Sequence, residues 1–252
     1  MLQSRIIPVL LMKNKSLVKT IKFKKYNYIG DPVNTACIFN ELEVDELMIL
    51  DIRASVFKEE PQFKVLKEIA DECFMPLSYG GGVKSMDHAK YIFKLGFEKI
   101  VINSETFANP KLITNMCKEF GSQALIGSMD IKRNLFGKYK VFTYSGTKKT
   151  NFNPVECAEY LTELGFGEIL LTNINNEGTW KGFDINIIKE VSDHVSIPVI
   201  AHGGAGSQYD IISAINNGHA SAVALGNLVT YQKKNMGVLI NFNESFKKIN
   251  KI

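Results

Sequence analysis

The chain is poor in everything that would tie it to a metal, a disulfide framework or a membrane. Its four cysteines, Cys37, Cys73, Cys117 and Cys157, lie far apart, with neither zinc-type nor redox spacing. They are expected inside helices as core thiols. No set of Cys, His, Asp and Glu has ligand spacing, which implies neither a metal nor an organic cofactor. Long apolar runs are missing too. After Met1-Leu2-Gln3-Ser4-Arg5 only seven apolar residues precede Lys13, too short to span a bilayer and without a small-residue cleavage site. The expectation is a cytoplasmic protein with no membrane contact. No G-x-G-x-x-G follows the first apolar run, which excludes the dinucleotide fingerprint. A net charge of +4 comes from lysines spread along the chain, with short clusters at Lys22 to Lys25 and Lys247 to Lys251. That reads as solvated surface rather than a nucleic-acid face.

What is present is a repeat. Pro76-Leu77-Ser78-Tyr79-Gly80-Gly81-Gly82 returns 122 residues later as Pro198-Val199-Ile200-Ala201-His202-Gly203-Gly204. At the same offset Glu46 to Asp51 lies over Glu168 to Asn173, and Ile100 to Ser104 over Ala222 to Gly226. Three apolar segments in one register point to a duplicated unit. With 252 residues and no linker or low-complexity tract, the chain is expected to be one domain over 1–252.

Short apolar runs alternate with helical patterns along the whole length. Strands are expected at 6–11, 46–51, 77–79, 99–103, 124–131, 168–172, 198–202 and 222–225. Asp31-Pro32, Pro61, Ser85, Pro110, Pro154 and Ser207 open helices between them. Eight alternations with duplicated halves favour a closed (β/α)8 TIM barrel, with half-barrels at about 1–122 and 123–252. The alternating 139–144 stretch beside Ser145-Gly146 reads as a hairpin insertion at about 137–147.

In such a barrel the C-terminal ends of the strands form the active face, where glycine-rich turns hold phosphate. Gly81 and Gly82 with Asn103 and Ser104 would form one cradle, and Gly203 and Gly204 with Gly226 the other. Two cradles fit an elongated ligand with a phosphate at each end, although glycines also serve simply as tight turns. Asp130 closes the fifth strand as a candidate acid or base, or as a salt-bridge partner of Lys132 or Arg133. Asp51 reads as structural, and His202 as a polar contact or proton carrier. At the opposite face Arg5, Glu46, Lys99 and Glu168 would meet across the axis. They form either a neutralised plug or a gate for a small polar molecule.

With these residues in place the chain resembles the cyclase subunit of imidazole glycerol phosphate synthase over nearly its whole length. Arg5-Ile6-Ile7-Pro8, Gly30-Asp31-Pro32, Leu50-Asp51-Ile52, Gly80-Gly81-Gly82, Gly167 to Thr172, Gly178-Thr179 and Gly203-Gly204-Ala205-Gly206 carry the likeness. The resemblance implies a barrel that takes ammonia along its axis from a class I glutaminase docked on the N-terminal face. It also implies a bisphosphorylated substrate, an ammonia gate at Arg5, Glu46, Lys99 and Glu168, and phosphate contacts at Gly82, Asn103, Ser104, Gly178, Gly204 and Gly226.

One departure matters most. The family resemblance implies aspartates at the ends of strands one and five; here strand five keeps Asp130, but strand one ends in Leu10-Leu11 where the first aspartate should stand. Removing one of a general acid–base pair costs about 10²- to 10⁴-fold in rate. Arg53 replaces a small polar residue, Asn175-Asn176-Glu177 an acidic turn, and His202 a serine. Leu10 to Phe23 and Val238 to Phe242 look like a branch associated with amidation of bacterial surface sugars, where the barrel and its glutaminase serve a separate amidotransferase. The alternatives are a histidine-pathway cyclase that tolerates Leu11 through His202 or Lys13, and a silent barrel that only activates a glutaminase. A related half-barrel isomerase shares the phosphate sites but has no use for an axial gate.

Overall fold

The computed structural model describes residues 4–134, 136–242 and 246; the Lys247 to Lys251 cluster and Met1-Leu2-Gln3 lie outside them. In chain order the strands are β1 (Arg5–Lys13), β2 (Ser16–Ile21), β3 (Lys24–Gly30), β4 (Leu47–Asp51), β5 (Leu77–Gly80) and β6 (Lys99–Ile102). They continue as β7 (Leu125–Arg133), β8 (Tyr139–Thr143), β9 (Lys148–Lys149), β10 (Glu168–Asn173), β11 (Val199–His202) and β12 (Ala222–Leu225). Eight of them, β1, β4, β5, β6, β7, β10, β11 and β12, pair in parallel, and the β7–β10 ladder and the β12–β1 ladder complete the ring. The chain is a closed (β/α)8 barrel.

The helices begin where polar caps and prolines dictate. Asp31 accepts the Asn34 amide ahead of Pro32–Glu41, and Ser85 accepts the His88 amide ahead of Met86–Lys94. Asn153 and Ser207 form capping boxes with Glu156 and Asp210 ahead of Pro154–Leu164 and Gln208–Asn216. Each satisfies amides that a helix start leaves unpaired. The apolar faces of these helices pack against outward residues of the strands, Ile6, Tyr79, Ile100, Met129 and Ile169 among them.

Two features differ from the expectation. Residues 13–30, unassigned from sequence, form the β2–β3 hairpin, which extends β1 antiparallel over the mouth. Its turns, Asn14-Lys15 and Lys22-Phe23, have positive φ at both central residues. Hairpin turns of that shape normally show themselves through Asn-Gly or Asp-Gly pairs, which are missing here. The cysteines also differ: Cys157 alone is buried, while Cys37, Cys73 and Cys117 are partly exposed. Cys73 sits just past the helix Phe63–Glu72, and the Cys37 thiol donates to Glu72 Oε2 at 3.5 Å near the surface. On the other side of the barrel, β8 pairs antiparallel with the overhanging end of β7.

Candidate active site

Alternation along the strands sends every second residue into the barrel axis. At the base Arg5 Nη1 donates to Glu46 Oε2 at 2.8 Å and Arg5 Nη2 to Glu168 Oε2 at 2.6 Å. Lys99 Nζ donates to Glu168 Oε1 at 2.7 Å and lies 3.7 Å from Glu46 Oε2. Two cations and two buried carboxylates thus cross the axis as one neutral ring. Glu46 Oε1 has no hydrogen-bond partner among the described residues. Above the ring the lining is apolar, with Ile7, Val9, Met48, Val101, Ile126, Leu170, Ile200, Ala222 and Ala224. Ser78, whose hydroxyl is also unpartnered among the described residues, is a polar exception.

At the mouth this lining opens into a solvent-open cavity bounded by Leu11, Phe23, Tyr26, Leu50, Asp130 and His202. Asp130 is 8% exposed, and its described side-chain partner is Asn103, whose Nδ2 donates to Oδ2 at 3.2 Å. Lys132 and Arg133 do not pair with it. Lys132 lies over the Phe142 ring, and Arg133 reaches Asp184 at 3.4 Å. Burial without a cation pushes the Asp130 carboxyl up to about 7. Thr172 is the register neighbour of Asp130 on one side and of His202 on the other, and its hydroxyl lies 3.1 Å from His202 Nδ1. Burial first, then the nearby Lys19 ammonium, pulls His202 down to about 3. The imidazole is therefore neutral at any physiological pH.

The other carboxylates in the cavity are held by their own surroundings. Asp51 accepts the Arg53 and Ala54 amides at 2.9 and 3.0 Å, in keeping with a structural part. Glu177 accepts the Thr20 hydroxyl at 2.9 Å and the Phe23 amide at 3.1 Å, which pins the β2–β3 hairpin in place. Two residues before the end of β1, facing the cavity, stands Leu11, 5% exposed.

Two glycine-lined recesses flank this cavity and are continuous with it. Gly81, Gly82, Asn103 and Ser104 line one, beside Lys84 and Tyr144. The Ser104 hydroxyl accepts the Tyr144 amide at 2.9 Å, so the β8–β9 turn leans on this recess. Gly178, His202, Gly203, Gly204 and Gly226 line the other, with Lys19, Glu177 and Trp180. Gly204 has φ +122°, and a Cβ there would run into the Gly182 carbonyl, so no other residue fits without strain.

Lys19 was not singled out by the sequence reading, and Glu177 was noted there only as part of a turn that departs from the family pattern. Lys19 is 3% exposed, and its ammonium lies where a Cβ on Gly226 would point. Burial lowers it to about 8, partly opposed by Glu177. No ion pair is formed by it among the described residues, so its charge is left available to an anion at the glycine-lined recess. Its only sequence signal was its place in a stretch that was not recognised as a hairpin.

Among the described residues, no group of three or more His, Cys, Asp and Glu is placed to hold a metal ion, and no helix is long and apolar enough to cross a membrane. Comparison with known proteins gives a consistent family. The model of the family described as histidine biosynthesis protein matches residues 5–235. "Putative imidazole glycerol phosphate synthase subunit hisF2" of Pseudomonas aeruginosa is 45% identical over 242 residues, 96% of each chain. The similarly named hisF3 of Vibrio vulnificus is 44% identical over 243 residues, 96% of this chain and 94% of that one. "Imidazole glycerol phosphate synthase subunit HisF" of Alkaliphilus metalliredigens is 40% identical over 233 residues, 92% of each.

Proposed function

Because the chain belongs to the histidine biosynthesis protein family, as a relative of its imidazole glycerol phosphate synthase HisF subunits, we propose that it is the ammonia-handling barrel of a glutamine amidotransferase complex whose chemistry has moved away from imidazole formation. One observation carries this reading. The cavity wall across the barrel from Asp130 is Leu11 with Leu50 and Ile52, and the remaining carboxylates there, Asp51 and Glu177, are tied to backbone amides and a threonine hydroxyl. Cyclisation by paired general acid and base needs a second group free to exchange a proton.

The scaffold for ammonia delivery is retained. A glutaminase docked at the base would release ammonia beneath the Arg5, Glu46, Lys99 and Glu168 ring, and a swing of Lys99 or Arg5 would open it. The apolar lining above favours neutral ammonia over ammonium, since a lone charge there would lose its hydration without gaining a partner. At the mouth Asp130, held near pH 7, can accept or return a proton. The recesses at Gly82, Asn103 and Ser104 and at Gly178, Gly204 and Gly226 would hold the two ends of a bisphosphorylated ligand, Lys19 serving the second. The likeness of residues 10–23 and 238–242 to the surface-sugar branch supports a role in amidating surface glycans with a separate amidotransferase.

A second reading has its own support. His202 shares a cross-strand row with Thr172 and Asp130, and its neutral ring could replace the absent carboxylate in a histidine-pathway cyclase. Growth of a cyclase-null bacterium decides between the two. Supplying this gene should leave the strain dependent on histidine; prototrophy would establish the second reading.

A further inference from the structure

The two hairpins that rise from the barrel share an unusual charge pattern. Residues 6–30, which carry β2 and β3, contain six cations and no acid; residues 131–155, which carry β8 and β9, again contain six cations and no acid. Together they hold twelve of the 30 cations of the chain and none of its 26 acids. Lys15, Lys22, Lys24, Lys25, Lys132, Lys138, Lys148 and Lys149 are exposed, and of the twelve only Arg133 joins an ion pair among the described residues. Lys132 and Lys140 even stand directly opposite each other in the β7–β8 ladder. Such a like-charge pair weakens a sheet, so the fold gains nothing from it.

The placement gives the pattern a use. The β2–β3 hairpin leans on the Gly178 and Gly226 recess through Lys19 and Thr20, and the β8–β9 turn leans on the Ser104 recess through Tyr144. The hairpins meet above the cavity, where a Cβ on Gly146 would lie 3.1 Å from the Phe23 ring. Of the acids at this rim, Glu59 pairs with Arg53 at 2.9 Å and Asp184 with Arg133, Glu177 is held by hydrogen bonds from the hairpin, and Glu105 lines the Ser104 recess beside Lys84. The twelve cations outnumber these acids. The field over the mouth is therefore positive. Unpaired cations around a low-dielectric opening concentrate anions and raise association rates.

We propose that the paired hairpins form an electrostatic funnel that draws a small bisphosphorylated anion into the mouth and sets its association rate, while the glycine recesses set its dissociation rate. This rests on the two-recess reading of the ligand. The device acts at a distance, so the residues concerned are those that touch no ligand: Lys24, Lys25, Lys138 and Lys149.

The test is stopped-flow binding of fructose 1,6-bisphosphate as probe, followed through Trp180. That residue is the single tryptophan and lines the Gly204 recess, and calorimetry on the same protein checks that binding occurs. Reversing Lys24, Lys25, Lys138 and Lys149 to Glu should slow association about tenfold or more at low ionic strength. Dissociation should change less than about twofold, and the difference should fade once salt shortens the Debye length to a few ångströms. The Gln versions should fall between, and they keep the test valid if the reversed chain folds poorly. Association that is independent of salt and of these substitutions would overturn the funnel alone. A wild-type protein that binds no bisphosphate by either method would overturn the two-recess reading and the funnel with it.

Discussion

Asp130 and His202 flank Thr172 and carry opposite pKa displacements, which makes the pH dependence of stability a sharp test of the mouth's geometry. Asp130 rises from 3.8 to about 7 on folding. Between those values the folded chain holds a proton that the unfolded chain has lost, so stability falls as pH rises, by about 1.4 kcal/mol per pH unit. His202 drops from 6.5 to about 3. Across that span the unfolded chain holds the extra proton, so stability rises with pH at the same slope. From about pH 4 to 6.5 the two contributions cancel. Asp130→Asn should remove the first and leave a curve that climbs, relative to wild type, by about 2 kcal/mol from pH 4.5 to 6. His202→Gln should leave a curve that falls by about the same amount, and the double variant should run parallel to wild type. Above pH 7 Asp130→Asn should stabilise the fold by up to about 4 kcal/mol. Urea denaturation at half-unit pH steps measures these differences, and titrations elsewhere in the chain are common to all four proteins. Single variants whose curves parallel wild type would refute the burial of one charge-bearing group on each side of Thr172.

Other outcomes follow from the same coordinates. Gly226 has φ −101°, a conformation open to alanine, and its added methyl would meet only the Lys19 ammonium; Gly226→Ala should therefore keep the unfolding midpoint while weakening inorganic phosphate binding about tenfold. Gly204→Ala, at φ +122° against the Gly182 carbonyl, should instead cost about 1–3 kcal/mol in thermal or urea unfolding. Arg5→Ala leaves Glu46 and Glu168 to Lys99 alone and should cost about 2–3 kcal/mol, at the low end for a buried ion cluster because Arg5 is partly exposed. Leu11→Asp should raise turnover of the histidine-pathway bisphosphate about 10²-fold or more, read by labelled ammonia incorporation.

Most of the barrel was legible because its signals are local. Continuous apolar runs and Asp31-Pro32, Ser85, Pro154 and Ser207 mark strands and helix starts through chemistry contained within a few residues. The glycines and the Arg5, Glu46, Lys99 and Glu168 set were legible through the repeat and through strand starts. Lys19 was not, because its hairpin turns at Lys22-Phe23 without glycine or asparagine, and its burial depends on Gly226, more than two hundred residues away. Cys37 was misjudged as a core thiol for a related reason. A thiol's depth depends on which helix face meets the strands, and Cys37 faces Glu72 instead. Whether Asp130 had a cationic neighbour was also undecidable from spacing, since Arg133 turns to Asp184, fifty-one residues on.

The central claim is that a delivery scaffold persists without the paired acid–base chemistry. Isotope-labelled ammonia supplied to the purified barrel together with the bisphosphorylated nucleotide intermediate of histidine synthesis tests it most directly. Saturable binding with no labelled imidazole product above the background rate is the predicted result. Rapid formation of that product by the wild-type chain, with Leu11 in place, would contradict the account.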